Sequence, residues 1–222
     1  MAARLLVFSR TVGFRHDSIG AGLEALRSLA KTRDWDLEAT EDPEAFHAAP
    51  LSRFEGVVFL NTNGAVLDDI GREALVRFVR SGKAFVGVHG AAATETEWPW
   101  YVGLVGATLK AHPAIQPARL VVEDAVHLAT RPLPSAFERT DEWYGFHENP
   151  RARVRVLLTL DESSYSPGEG AMGTDHPLAW CHEYEGGRAF YTGLGHTNES
   201  YGDPLLLEHL AGGLSWALRE AS

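Results

Sequence analysis

Along the first ninety residues, segments with strand-like hydrophobic patterns alternate with segments that have apolar residues at helical spacing, as is typical of a sheet covered by helices. Short apolar runs predict buried parallel strands at residues 5–8 and 54–60 and in the run that begins at Lys83, and the alternating residues 35–40 predict a further strand. Between these runs, apolar residues at helical spacing predict helices over about 19–31 and 67–80. Strands that alternate with helices predict right-handed crossovers, and therefore a doubly wound, mostly parallel α/β sheet.

The second half of the chain has shorter and less regular apolar segments. Residues 94–101 are predicted to form a helix or a lid, strands are predicted at 118–123, 154–160, 178–184 and 188–192, and a last helix at 205–218. The sequence Glu185-Gly186-Gly187 between the last two strands predicts a β-hairpin. The sequence shows no repeat, low-complexity tract or linker, so residues 1–222 are predicted to form a single domain.

Composition argues against several functional classes. The formal net charge of −10 argues against binding to nucleic acid, whose phosphates require a basic surface. No apolar stretch approaches the roughly 20 residues of a membrane helix, so no membrane association is expected. The apolar run near the start is too short for a signal peptide, and a cytoplasmic location is expected. Cys181 is the only cysteine, which excludes an internal disulfide and a zinc–thiolate cluster.

The run that begins at Lys83 ends in Gly87-Val88-His89-Gly90, which predicts a tight strand-to-helix elbow. The two glycines are expected to permit the backbone angles of such a turn. An elbow of this kind presents its central side chain, here His89, at the carboxyl end of the sheet, where open α/β folds bind ligands. Histidine in place of serine or cysteine disfavours nucleophilic acyl transfer.

Polar residues after other predicted strands are expected to converge with His89 at one edge of the sheet. His16, Asn61 and His196 are these residues. Asp141, Glu142, Trp143 and Tyr144 are expected to join them from the less regular second half of the chain. Imidazoles and carboxylates are ordinary ligands of zinc and related metals. Carboxylates and amides bind hydroxyl groups, and aromatic rings pack on the C–H faces of sugars. His112, which precedes Pro113, is interpreted as a residue that shapes a turn.

Six blocks of sequence, spread from residue 14 to residue 217, carry a resemblance to a known family. They are FRHDS at 14–18, GVHG at 87–90, TDEWY at 140–144, PLAW at 177–180, RAFYTGLGH at 188–196 and LAGGLSWA at 210–217. Together they resemble the ThuA-like trehalose-utilisation family. The resemblance implies a flavodoxin-like fold of the class I glutamine amidotransferase-like superfamily and a role in the metabolism of trehalose and related disaccharides.

The amidotransferases of that superfamily carry a cysteine at the elbow, where this chain has His89. Cys181 lies instead in the predicted hairpin, away from the elbow. Imidazole can replace neither the thiolate nor its acyl-enzyme role. Glutamine hydrolysis is therefore not expected.

Two hypotheses about function remain open. In the first, the protein is an enzyme acting on a disaccharide or an oxidised (keto) sugar, by acid–base chemistry or with a divalent metal such as zinc, manganese or magnesium. His89, Glu142 and Asp141 are its candidate catalytic residues and His16, His89 and His196 its candidate metal ligands. The candidate substrate-binding residues are His16, Asn61, Trp143, Tyr144 and His196.

In the second hypothesis, the protein is a non-catalytic sugar-binding or regulatory module, because fold alone implies no activity. A small sugar is the expected ligand in both cases. Which of Asp141 and Glu142 points into the site stays open, as does assembly into a homo-oligomer.

Overall fold

A computed structural model describes residues 2–220, which contain eleven strands. Nine of these strands form one mixed sheet. The strands are β1 (Ala3–Phe8), β2 (Trp35–Thr40), β3 (Gly56–Leu60), β4 (Ala84–Val88), β5 (Leu109–Ala111), β6 (Gln116–Val122), β7 (Ala136–Asp141), β8 (Gly145–Phe146), β9 (Arg155–Asp161), β10 (Pro177–Tyr184) and β11 (Gly187–Thr192). The helices are α1 (Ile19–Arg33), α2 (Ala48–Leu51), α3 (Asp69–Arg80), α4 (Pro99–Val105) and α5 (Pro204–Ala217). Strands β5 and β8 pair with each other outside the main sheet.

The main sheet has a parallel part and an antiparallel part, in the order β2-β1-β3-β4-β11-β10-β9-β6-β7. Strands β2, β1, β3, β4 and β11 pair in parallel. From β11 onward every pairing is antiparallel, including the hairpin of β10 and β11. The α/β class with a parallel core and a hairpin in the second half is therefore confirmed, and the antiparallel part extends beyond that hairpin.

Two separate hydrophobic cores cover the two faces of the sheet. On one face, α1 and α5 bury residues such as Leu26 and Leu210. On the other face, α3 and α4 bury residues such as Leu75 and Tyr101. None of the helices within residues 2–220 is long and apolar enough to cross a membrane.

Helix α1 begins at Ile19, as predicted, whereas the start of α3 differs from the prediction. Helix α3 begins at Asp69 because the side chain of Asp68 accepts a hydrogen bond from the amide of Gly71 and caps the helix there. Ser18 precedes α1 but makes no side-chain cap, because its hydroxyl donates to the carbonyl of Gly195 instead. The segment expected to form a helix or lid lies beyond a short 3-10 helix, His89–Ala93, and leads into α4.

The parallel strands determine where the site lies. His16, Asn61, His89 and His196 follow β1, β3, β4 and β11, respectively. Because parallel strands end at the same edge, these four side chains are presented at one edge of the sheet.

Candidate functional site

The elbow after β4 holds His89 in a left-handed backbone conformation, with φ of 43°. The positive φ thus belongs to the histidine itself, which corrects the expectation that the flanking glycines adopt it. Gly90 is needed for space, since a Cβ there would lie 2.8 Å from the carbonyl oxygen of Thr62. A left-handed conformation costs a residue other than glycine of the order of 1–3 kcal/mol and is common where function requires a particular side-chain position.

The His89 ring is fully buried, and its two nitrogens have different roles. Nδ1 lies 2.8 Å from the carbonyl oxygen of Gly193, which can only accept, so Nδ1 donates. Nε2 faces Glu142 and His196, so it can bind a metal ion when the ring is neutral and donates to Glu142 when the ring is protonated. A backbone carbonyl that fixes the tautomer in this way is the usual partner of a metal-binding histidine.

Three potential ligand atoms lie close together at this edge of the sheet. Oε2 of Glu142 lies 3.3 Å from Nε2 of His89 and 3.1 Å from Nδ1 of His196. The two ring nitrogens lie 3.1 Å apart. With a ligand atom of His16, the set fits within 4.8 Å. These four residues, His16, His89, Glu142 and His196, are called the His–Glu cluster below.

His16 completes the His–Glu cluster from the loop after β1. Its ring packs edge-to-face against His89 and His196, with 5.0 Å between ring centroids in each pair. Its Nδ1 is buried and has no hydrogen-bond partner among the described residues. Burial, followed by the charges of His89 and His196, lowers its pKa to about 3. The ring is therefore neutral at pH 7 and retains a nitrogen lone pair.

Glu142 supplies the negative charge of the His–Glu cluster. Burial alone raises its pKa, but the hydrogen bonds with His196 and His89 outweigh burial and hold the pKa well below its usual range. For His196 burial lowers the pKa, whereas the hydrogen bond and charge of Glu142 outweigh this and raise it. The carboxylate is ionised at neutral pH and compensates positive charge among the imidazoles.

Asp141 lies behind the His–Glu cluster and does not face the cavity. Its carboxylate is fully buried and accepts hydrogen bonds from the amides of Gly195 and His196 and from the hydroxyl of Ser200. The structure thus settles which neighbouring carboxylate points into the site: Glu142 does, whereas Asp141 positions the loop that carries His196. This corrects the expectation that Asp141 is catalytic.

Asn61 is likewise part of the frame beneath the site. Its amide nitrogen donates to the hydroxyl of Ser18 and to the carbonyl of Gly195, and its oxygen accepts from the amide of Gly90. The side chain is fully buried, with these partners on three strand-end loops. It joins those loops and has no surface left for a substrate.

The two neighbouring aromatic residues differ in position. Trp143 is fully buried in a core cluster, and its indole N–H donates to the carbonyl of Gln116, so it offers no surface to a sugar. That corrects its expected role as a sugar platform. Tyr144 lines the cavity, and its ring lies 4.0 Å from that of His89, centroid to centroid.

The cavity has a volume of about 360 Å³, and four of its lining residues are not among the candidates predicted from the sequence: Phe14, Asn63, Leu109 and His112. Nδ1 of His112 lies 2.9 Å from Oε1 of Glu142, the oxygen that faces away from the histidine pair. Phe14 is 62% exposed and packs edge-to-face on His16. The proline after His112 suggested a turn, and no pattern in the sequence places His112 beside Glu142. Phe14 lies within the FRHDS block but is not among the site residues predicted from the sequence.

The donor set of the His–Glu cluster fits a divalent metal ion. In a tetrahedral site with bonds of about 2.1 Å, neighbouring ligand atoms lie roughly 3.4 Å apart. The distances of 3.1–3.3 Å among His89, His196 and Glu142 are close to that value. The unpartnered Nδ1 of His16 and the fixed tautomer of His89 are further features of a metal site.

The fold and site define an α/β protein with a His–Glu cluster, in place of a cysteine nucleophile, at the carboxyl edge of its parallel strands. The chain belongs to the ThuA (trehalose utilisation) family, whose model matches residues 4–217. The predicted membership is confirmed and implies a role in carbohydrate metabolism. A comparison with curated proteins gives no match.

Solved structures support the same fold. A protein described as ThuA-like from Bacteroides uniformis ATCC 8492 superposes with a TM-score of 0.81 at 22% identity, covering 97% of this chain and 91% of that one. Another from Parabacteroides merdae ATCC 43184 gives 0.82 at 19% identity, covering 100% and 92%. A cytoplasmic protein from Salmonella typhimurium LT2 gives 0.69 at 10% identity, covering 96% and 99%.

Proposed function

We propose that this protein is a cytoplasmic enzyme that acts on a disaccharide or a keto sugar with the help of a divalent metal ion held by the His–Glu cluster. The observation that carries the proposal is that one ligand atom from each of three imidazoles and one carboxylate lies within 4.8 Å of the others, beside a cavity that His16, Glu142 and His196 line. Family membership supports a sugar as the substrate. A structural neighbour from Salmonella typhimurium LT2 that is described as a cytoplasmic protein supports the location.

Zinc or manganese fits this ligand set better than magnesium. Three of the four ligands are imidazoles, which suit zinc and its neighbours, whereas magnesium prefers oxygen ligands and bound water. A bound divalent ion would supply Lewis acidity, which polarises a carbonyl or hydroxyl oxygen of a sugar.

Other side chains of the site have separate roles beside the metal ion. Glu142 balances the charge of the site through Oε2 and holds His112 through Oε1. Tyr144 covers one side of His89 and keeps water from its ring. If no metal binds, Nε2 of His89 and Oε2 of Glu142, 3.3 Å apart, form the acid–base pair.

The position of Cys181 supports the exclusion of amidotransferase chemistry. The thiol is 1% exposed and lies on β10, outside the cavity. Burial raises its pKa to about 12, so it stays protonated at neutral pH. A buried thiol of this kind is not a nucleophile.

Metal analysis combined with a turnover assay tests the proposal. The purified protein is analysed for metals by mass spectrometry, stripped with a chelator, and reconstituted with zinc, manganese or magnesium. Conversion of mono- and disaccharides and their keto forms is then followed by NMR. We expect metal-dependent turnover that is lost in His89→Asn and retained in His147→Ala, an exposed histidine outside the cavity.

Two other results would change the assignment. Turnover of the stripped protein that is lost in His89→Asn would replace the metal by acid–base chemistry. Binding of sugars without turnover in any metal state would favour the non-catalytic sugar-binding module.

A further inference from the structure

A second cavity adjoins the first one. It has a volume of about 220 Å³ and shares Phe14, His16 and His196 with the 360 Å³ cavity. Alone it is smaller than the roughly 300–1,000 Å³ of ordinary ligand pockets. Because the two cavities share these residues, the smaller one extends the first rather than forming an independent site.

The lining of the second cavity combines apolar surface with exposed polar groups. Phe14 and Ile115 are 62% and 48% exposed and form its apolar part. The side chains of Asp17, Asn198 and Glu199 also line it, and none of them forms a hydrogen bond or ion pair within residues 2–220 that would occupy it. Such a lining can accept hydrogen bonds from hydroxyl groups while an aromatic ring packs on a C–H face.

We infer that this cavity is a second binding subsite for a neutral, polyhydroxylated ring, and that Phe14 contacts both halves of a two-ring ligand; the inference rests on the proposed function. Neither cavity is lined by lysine or arginine among the described residues, and two carboxylates face the second one, so a phosphorylated ring is disfavoured. A wholly apolar ligand would bury those carboxylates without compensation.

Some residues line both cavities and others line only the second one, so their substitutions should affect ligand affinity differently. Phe14 borders both cavities, so its loss weakens binding of one-ring and two-ring ligands. Asn198 and Ile115 line only the second cavity, so their loss weakens binding of two-ring ligands alone. The ratio of the two affinities therefore reports on the second subsite.

Calorimetric titration of the zinc-loaded full chain tests this inference. The probes are methyl α-glucoside, which has one ring, and trehalose, maltose and sucrose, which have two. We expect at least one two-ring probe to bind about tenfold more tightly than methyl α-glucoside. Asn198→Ala and Ile115→Ala should each remove most of that advantage without changing the affinity for methyl α-glucoside. Val126→Ala, an exposed apolar truncation outside both cavities, should change neither.

Three results would overturn the inference. Equal affinities for one-ring and two-ring probes would remove the second subsite but leave the proposed function intact. Equal weakening of both kinds of probe by Asn198→Ala would do the same. If no probe binds while zinc still binds through His89, the sugar part of the proposed function fails, and the subsite fails with it.

Discussion

Two sets of buried histidines differ in how their ring nitrogens are satisfied. Outside the site, His209 places Nδ1 against the carbonyl of Ala129 and Nε2 against the hydroxyl of Thr192. His176 likewise meets Glu162 through Nδ1 and the carbonyl of Tyr144 through Nε2. In the His–Glu cluster, by contrast, ring nitrogens face one another and a single carboxylate.

Burial alone therefore does not separate a structural histidine from a functional one. His209 and His89 are both fully buried, but only His89 has a ring nitrogen that faces two other candidate metal ligands. A buried polar group without a suitable partner carries a cost of about 1–3 kcal/mol, which a bound ligand can remove. Making the same substitution in a histidine of each set tests this difference.

The same substitution should greatly weaken metal binding at His89 and leave it unchanged at His209. We expect His89→Asn to weaken zinc binding at least 1,000-fold, about 4 kcal/mol, because it removes a ligand with a fixed tautomer. Asparagine tolerates the left-handed backbone at this position, so the fold should survive. His209→Asn should bind zinc normally, as measured by titration with a competing chelator. Equal losses in both variants would show that the effect is structural.

Acid should destabilise the protein through His209, a member of the structural set. Burial, partly offset by the hydrogen bond to Ala129 and reinforced by the charges of His127 and Arg139, lowers the pKa of His209 to about 4. In the unfolded chain the value is about 6.5, so below that pH only the unfolded chain takes up the proton. The free energy of unfolding should therefore fall by about 3 kcal/mol from this group as the pH drops from 6.5 to 4.

Urea unfolding of the metal-free protein at several pH values measures this loss. The burial of His127 and His16 acts in the same direction, so His209→Asn is compared with the unchanged chain. The variant should be less stable at pH 7 and should lose less stability on acidification. Identical pH slopes would argue that His209 is already charged in the folded state.

Metal should stabilise the protein only through the His–Glu cluster. Zinc at about 100 times its dissociation constant should add roughly 2.7 kcal/mol to the free energy of unfolding. For a chain of this size that corresponds to a rise in melting temperature of about 5–10 °C. His16→Ala should abolish the rise, which is measured by differential scanning calorimetry. A rise of the same size in that variant would place the ion elsewhere.

His112 should have the smallest effect, because it contacts the cluster only through Glu142. We expect His112→Ala to weaken zinc binding by about tenfold, since partners of a metal-binding group typically contribute 10- to 100-fold. Its ring is 44% exposed, so the free energy of unfolding should change by less than about 0.5 kcal/mol. His147→Ala is the matched control. Unchanged zinc affinity in His112→Ala would limit the cluster to its four buried members.

Much of the frame could be predicted because it depends on local patterns. Apolar runs and helical spacing located the parallel strands and the helices between them. The rule that parallel strands end at one edge brought His16, His89 and His196 together. Asn61 was placed at the right edge as well, but its side chain serves the frame, since three loops need its hydrogen bonds.

By itself the sequence determined the parallel core, the elbow, the absence of a cysteine nucleophile and the histidines that face one another. Only the tertiary structure decided that Glu142 and not Asp141 faces the cavity, and that Trp143 is buried in the core. It also decided that His112 and Phe14 line the cavity. The reason is physical. Strand order and helical spacing follow from short stretches of chain, whereas the direction of a side chain after an irregular turn depends on contacts with distant residues.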